Sequence, residues 1–114
     1  MANMSMRTSV DEDGRSVYRF RMTLNERRYR KVVIDSHFKG KHGESVTEEI
    51  ILEVLKRIDG EVFDPVFKDV EFEYFKVEPI FFDDAPYRLI FLLFVNEYTL
   101  GVINCFRVQR RKHE

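Results

Sequence analysis

Ser45-Val46-Thr47-Glu48-Glu49-Ile50-Ile51-Leu52-Glu53-Val54-Leu55-Lys56-Arg57-Ile58 carries the clearest period in this 114-residue chain, and the period is helical. Val46, Ile50, Ile51, Val54, Leu55 and Ile58 recur at the spacing of one apolar stripe, with Glu48, Glu49, Glu53, Lys56 and Arg57 outside it. Ser45 and Glu48 have the spacing of a capping box, in which each side chain takes the other's orphan backbone N–H. Acids lead and bases trail, as the helix dipole prefers. Gly60 suits the left-handed position that ends a helix. A single amphipathic helix needs a second layer for its apolar stripe, and the flanking sequence offers strands.

On the N-terminal side, Val17 to Leu24 alternates: Tyr18, Phe20, Met22 and Leu24 share one face, and Arg19 and Arg21 the other. That is a half-buried strand with a basic exposed face. Asn25-Glu26-Arg27-Arg28 reads as a turn, and Tyr29 to Phe38 as a second strand, so the two form a hairpin; a helix over 24–34 is the alternative reading. On the C-terminal side, Val70 to Phe82 is rich in Phe, Tyr and Val. Pro79 places its end at an edge or bulge, and the slip in alternation at Tyr74-Phe75 suggests a bulge there. Asp83-Asp84-Ala85-Pro86 reads as a turn. Tyr87 to Val95 is apolar on both faces, as a central strand is, and Tyr98 to Val108 follows. The order β-β-α-β-β-β gives an α+β domain: an antiparallel sheet of about five strands with the helix packed on one face. Residues 1–14 are expected to be a flexible tail, 15–110 the single domain and 111–114 a basic tail.

The composition agrees. The chain has room for one core, and 11 Phe and 5 Tyr beside zero Trp imply an aromatic, strand-favouring interior. A lone Cys105 excludes an intramolecular disulfide framework and a four-cysteine zinc site. No apolar run reaches about 18 residues, and no signal peptide is evident, so a soluble, cytoplasmic protein without a membrane partner is expected. The net charge of −1 conceals segregation: residues 15–42 carry +7, 43–106 carry −9 and 107–114 carry +3. The basic blocks could meet in one surface that favours a polyanion such as RNA; alternatively they only solvate exposed faces.

The side chains suited to acid–base work concentrate in Asp35-Ser36-His37-Phe38-Lys39-Gly40-Lys41-His42-Gly43. Imidazole titrates near neutrality and can move the protons of phosphodiester cleavage. Lys39 and Lys41 are the local cations for the developing charge. The plain alternatives are a strand-end His37 hydrogen-bonded to a neighbour and a His42 covering the helix N-terminus. Asp35, His37 and His42 do not have a recognised metal-ligand spacing, and no metal or other cofactor is expected. Cys105, mid-strand, reads as a small buried hydrophobe and not as a nucleophile. If Asn96-Glu97 is a two-residue hairpin loop, Leu89 faces Asn104 and Arg88 faces Cys105. Arg88 and Arg107 then become diagonal neighbours on one face, where their forks could clasp a phosphate. Pairing of either with Asp83, Asp84 or Glu78 is the alternative.

In two local patterns the chain resembles the small microbial ribonucleases of the RelE/colicin D type, including RelE-like toxins of toxin–antitoxin pairs. One is a strand ending in His37, then Lys39 and Lys41, then the helix opened by Ser45-Val46-Thr47-Glu48-Glu49-Ile50-Ile51. The other is Tyr87-Arg88-Leu89-Ile90 paired with Gly101-Val102-Ile103-Asn104-Cys105-Phe106-Arg107. The resemblance covers roughly residues 29–110. It implies a metal-independent endoribonuclease, with His37 as general acid or base, Lys39 and Lys41 on phosphate, and Arg88 and Arg107 stabilising the transition state. It also implies an antitoxin-like protein partner. Apart from the resemblance, the basic hairpin residues Arg19, Arg21, Arg28 and Arg30, with His42, are the candidate nucleic-acid-binding set. Two other readings stay open: a non-catalytic module binding nucleic acid or protein through the basic hairpin, and a homodimer formed through aromatic edge strands.

Overall fold

Period-two patterns dominate the chain, and the computed structural model, which describes residues 7–10, 14–35 and 46–108, turns them into a seven-stranded sheet with one helix on it. The strands are β1 (Arg7–Val10), β2 (Ser16–Leu24), β3 (Arg27–Ile34), β4 (Phe67–Lys68), β5 (Phe72–Phe82), β6 (Ala85–Phe94) and β7 (Thr99–Arg107). The helix, α1 (Glu48–Arg57), follows β3. The spatial order is β1-β2-β3-β7-β6-β5-β4. Neighbours are antiparallel except β3 and β7, which run parallel, with Lys31 opposite Thr99 and Ile34 opposite Val102. The expected α+β class holds. The sheet is larger than five strands and is not wholly antiparallel: β4 and β1 extend its edges, β1 from within the stretch expected to be a tail.

Local sequence explains most of the elements. On β2, Ser16, Tyr18, Phe20, Met22 and Leu24 point into the core, and Arg19 and Arg21 are exposed. The β2–β3 turn is tighter than the sequence implied. Asn25 and Glu26 alone form it, both at positive φ (53° and 65°), the backbone of the two-residue turn that matches strand twist. Asp83 and Asp84 do the same between β5 and β6 (55° and 65°). On β5 the expected bulge at Tyr74-Phe75 is absent. Pairing with β6 is unbroken from Phe72 to Val77, and the register shifts instead between Val77 and Ile80, around Pro79. A proline has no N–H for the ladder, so the irregularity follows the proline.

β6 is central as expected. Tyr87, Leu89, Phe91 and Leu93 are buried under the helix layer, while Arg88, Ile90, Leu92 and Phe94 are half-buried on the other face. Phe75 and Phe91 stack at 5.0 Å with an interplanar angle of 8°. From α1 come Ile51, Leu52, Val54 and Leu55, all buried. Leu52, outside the stripe drawn from the sequence, is one of them.

The N-terminal cap of α1 differs from the capping box. Thr47 is the cap residue, and its hydroxyl accepts from the Ile50 amide at 3.2 Å. Ser45 lies outside the described residues. Glu48 is engaged elsewhere: its carboxylate accepts from the Ser16 hydroxyl at 2.8 Å and from the Tyr18 hydroxyl at 2.5 Å. These two bonds pin the start of the helix to β2. At the other end Gly60, at φ +91°, takes the left-handed conformation expected of it. Its amide donates to the Thr23 carbonyl at 2.7 Å, and Asp59 accepts from the Thr23 amide at 2.7 Å. Both ends of α1 are thus tied to β2. Glu48→Ala removes an acceptor from two largely buried hydroxyls, and a loss of about 1–3 kcal/mol is expected. A urea midpoint unchanged from the parent protein would contradict that role.

Candidate nucleic-acid interface

One face of the sheet carries α1. The other is built in two halves. On β5 and β6 it is apolar and half-buried, with Tyr74, Ile90, Leu92 and Phe94. On β2 and β3 it is basic. Alternation turns Arg19 and Arg21 outward from β2, and Arg28 is exposed opposite Thr23. The β2–β3 register shifts between Arg19 and Met22, so two residues of β2 oppose Arg30 alone. This bulge interrupts alternation on β3 and leaves both Arg30 and Lys31 exposed. Simple alternation from Tyr29 would have turned Lys31 inward.

None of Arg19, Arg21, Arg28, Arg30 and Lys31 forms an ion pair among the described residues. The five line a track of adjoining grooves. The first, about 710 Å³, has Arg21, Arg28, Arg30, Thr23, Asp59 and Tyr98 on its walls. The second, about 840 Å³, has Arg19, Arg21, Arg30, Lys31, Glu97 and Tyr98. A third, about 310 Å³, runs on over β7 toward Phe94 and Ile103, and there Arg15 and Lys31 meet Asp35 and Glu97. With three arginines beside Asp59 in the first groove, four cations beside Glu97 in the second and two charges of each sign in the third, the track is positive over β2 and β3 and mixed in sign further along. Four of the five residues expected to bind nucleic acid, Arg19, Arg21, Arg28 and Arg30, fall together here. The fifth, His42, lies outside the described residues, as do His37, Lys39 and Lys41.

Tyr98 was not singled out from the sequence as functional. It ends the loop 95–98, which is longer than the two-residue Asn96-Glu97 loop expected. β3 beside β7 holds it in place: the Tyr98 carbonyl accepts from the Arg30 amide at 3.0 Å and the Lys31 amide at 3.3 Å. The Arg30 guanidinium lies 4.8 Å from its ring centroid. The only sequence signal was an aromatic residue next to a turn, which is too common to point to a site.

Arg88 and Arg107 are not neighbours on one face. The expected register holds near the loop, with Leu93 opposite Leu100 and Phe91 opposite Val102. It then shifts by one, so that Ile90 faces Asn104, Leu89 faces Cys105 and Arg88 faces Phe106. Ile103 is the extra residue, and the Asn104 side chain accepts from the Cys105 amide at 2.9 Å beside it. A one-residue slip exchanges faces. Arg107 therefore lies opposite Tyr87 on the helix-bearing side, its guanidinium 5.9 Å from that ring, and Arg88 lies on the other side, 5.3 Å from the Phe106 ring. Arg88 pairs with Glu78, the alternative that the sequence left open. The Arg88 hydrogen bond holds the Glu78 carboxyl below its ordinary value. The pair thus contributes at neutral pH and is lost as pH falls through that lowered value. Arg107 is also eight residues along β7 from Thr99, roughly 26 Å at strand rise, far from the basic track.

Cys105 is fully buried, and burial pushes its thiol up to about 12. A buried, protonated thiol is a poor nucleophile. Thiol reagents at pH 8 are expected to leave native Cys105 unmodified and to label it after unfolding; rapid labelling of the native protein would contradict this. Among the described residues no group of three or more His, Cys, Asp or Glu could hold a metal ion, and no helix is long and apolar enough to cross a membrane. Compared with protein-family models, curated proteins and solved structures, the chain matches none of them.

Proposed function

We propose that this protein binds RNA through the open face of β2 and β3. The supporting observation is five exposed cations without ion pairs among the described residues, gathered on one sheet face along continuous grooves. Cations that are not neutralised from within the protein are available to phosphates, and binding releases the counterions condensed on the polyanion. The face contributes position and charge, the part of recognition that carries no sequence information. Binding of a labelled RNA, followed over a range of salt concentrations, tests the reading: affinity that falls steeply with salt supports it, and no binding at low salt refutes it.

Cleavage of the bound RNA is a second reading. Its support is chain connectivity: β3 carries Arg28, Arg30 and Lys31 and ends just before Asp35, two residues ahead of His37. Arg88 and Arg107 have no shared part in this reading, because the sheet separates them. RNA degraded in the presence of EDTA by the parent protein, and not by His37→Ala, would establish metal-independent cleavage.

A further inference from the structure

Tyr18, Tyr29 and Tyr87 bury their rings in the core, whereas Tyr98 is 61% exposed. Its backbone is nevertheless anchored, through the two amides of Arg30 and Lys31 that its carbonyl accepts. The ring stands between the first and second grooves and is part of the wall of each. Arg30 lies against it, which leaves a ring surface open to solvent on a basic track. An aromatic ring kept in water forgoes the free energy of burial. On a track lined with arginines it offers a π surface beside cations that can hold phosphates.

We infer that Tyr98 is a stacking platform for an unpaired base, so that the track takes single-stranded RNA in preference to duplex. The inference rests on the RNA-binding reading of this face and adds the form of the ligand. In a duplex both faces of each internal base are covered by its neighbours, and the A-form major groove is too deep and narrow for side chains to enter. Only an unpaired base can turn its face to Tyr98 while its flanking phosphates meet the cations of the two grooves: Arg28 in the first, Arg19 and Lys31 in the second, and Arg21 and Arg30 in both. Stacking of this kind is tolerant of sequence, because every base has a π face. The anchored Tyr98 backbone means that little order has to be imposed when the base arrives. The same chemistry would accept a DNA single strand, since nothing in the grooves singles out a 2′-hydroxyl.

Fluorescence anisotropy with four probes tests the inference: a short unstructured RNA strand, the DNA strand of the same sequence, the RNA strand annealed to its complement, and inorganic polyphosphate as a polyanion without bases. The parent protein is expected to bind a single strand more tightly than the duplex. Tyr98→Ala is expected to weaken single-strand binding about tenfold and to leave polyphosphate binding within about twofold, which also shows that the variant is folded. Tyr98→Phe keeps the ring and is expected to restore single-strand affinity. Comparison of the RNA and DNA strands shows which source of unpaired bases is preferred, and a Tyr98-dependent loss on either supports the platform. An equal loss on all probes, or no loss on the single strands, overturns the platform while leaving charge-based binding intact. Failure of the parent protein to bind any of the four overturns the underlying reading as well.

Discussion

Changing Arg19, Arg21, Arg28 and Arg30 together to Ser is expected to weaken RNA binding by about two orders of magnitude near physiological salt. Exposed charge contacts are worth up to about 1 kcal/mol each, and four of them at roughly 0.7 kcal/mol correspond to about a hundredfold in affinity. The salt dependence carries the more specific signature. Each phosphate contact on a single strand contributes about 0.7 to the slope of log affinity against log salt, so the variant should lose about 3 from that slope. Lys31 and Tyr98 remain, so weak binding should persist. The fold should tolerate the change. All four side chains are exposed, and none is the partner of an acid among the described residues, so none of the described carboxylates is orphaned. Anisotropy titrations at several salt concentrations, with a thermal melt as the folding control, measure both quantities. An unchanged slope in a folded variant would remove these residues from any RNA interface.

Phe91→Ala is the substitution expected to cost most in stability, about 3–5 kcal/mol. Phe91 is fully buried on β6, between β5 and β7, and its ring stacks on Phe75, which is 1% exposed. Truncation removes the apolar contact area and leaves a cavity that two flanking strands in ladder register cannot close. Against a total stability of about 5–15 kcal/mol for a domain of this size, that loss brings the protein close to unfolding. Phe91→Leu keeps most of the volume and should cost much less. Urea unfolding of the two variants beside the parent protein gives the comparison. A loss below about 1.5 kcal/mol for Phe91→Ala would mean that this strand is not the centre of the core.

The parts of the structure that depend on near neighbours in the chain were legible. The alternation of Tyr18, Phe20, Met22 and Leu24 against Arg19 and Arg21 is written in consecutive residues and reappears in β2. The apolar stripe of α1 and the left-handed Gly60 are local in the same sense. β6 was recognisable as central because residues on both of its faces are apolar. The capping box was misread for a non-local reason: Glu48 had the right spacing to Ser45, but its carboxylate is held by Ser16 and Tyr18, more than two dozen positions away in sequence.

The candidate site was legible in the same proportion. Arg19 and Arg21 could be placed outward from alternation alone, and Arg28 and Arg30 came with the second strand. Lys31 and Tyr98 could not be found this way. One depends on a bulge in the opposing strand, the other on β3 lying beside β7. The proximity of Arg88 to Arg107 was inferred from a register that is correct for the pairs nearest the loop and fails beyond Ile103, because a single extra residue turns the end of β7 over.

By itself, then, the sequence determined five of the seven strands and the helix, which side of each of these is apolar, and that positive charge concentrates before the helix. These follow from the periods of 2 and 3.6 and from side-chain chemistry, which need no knowledge of distant partners. Tertiary structure alone decided the order of the strands, the parallel β3–β7 pair, the positions of the bulges and the union of the arginines with Tyr98 in one track. Those depend on pairings between segments far apart in the chain. The free energy of such a pairing is shared among the ladder, the core beneath it and the closure of the intervening chain, and is encoded in no single stretch of residues.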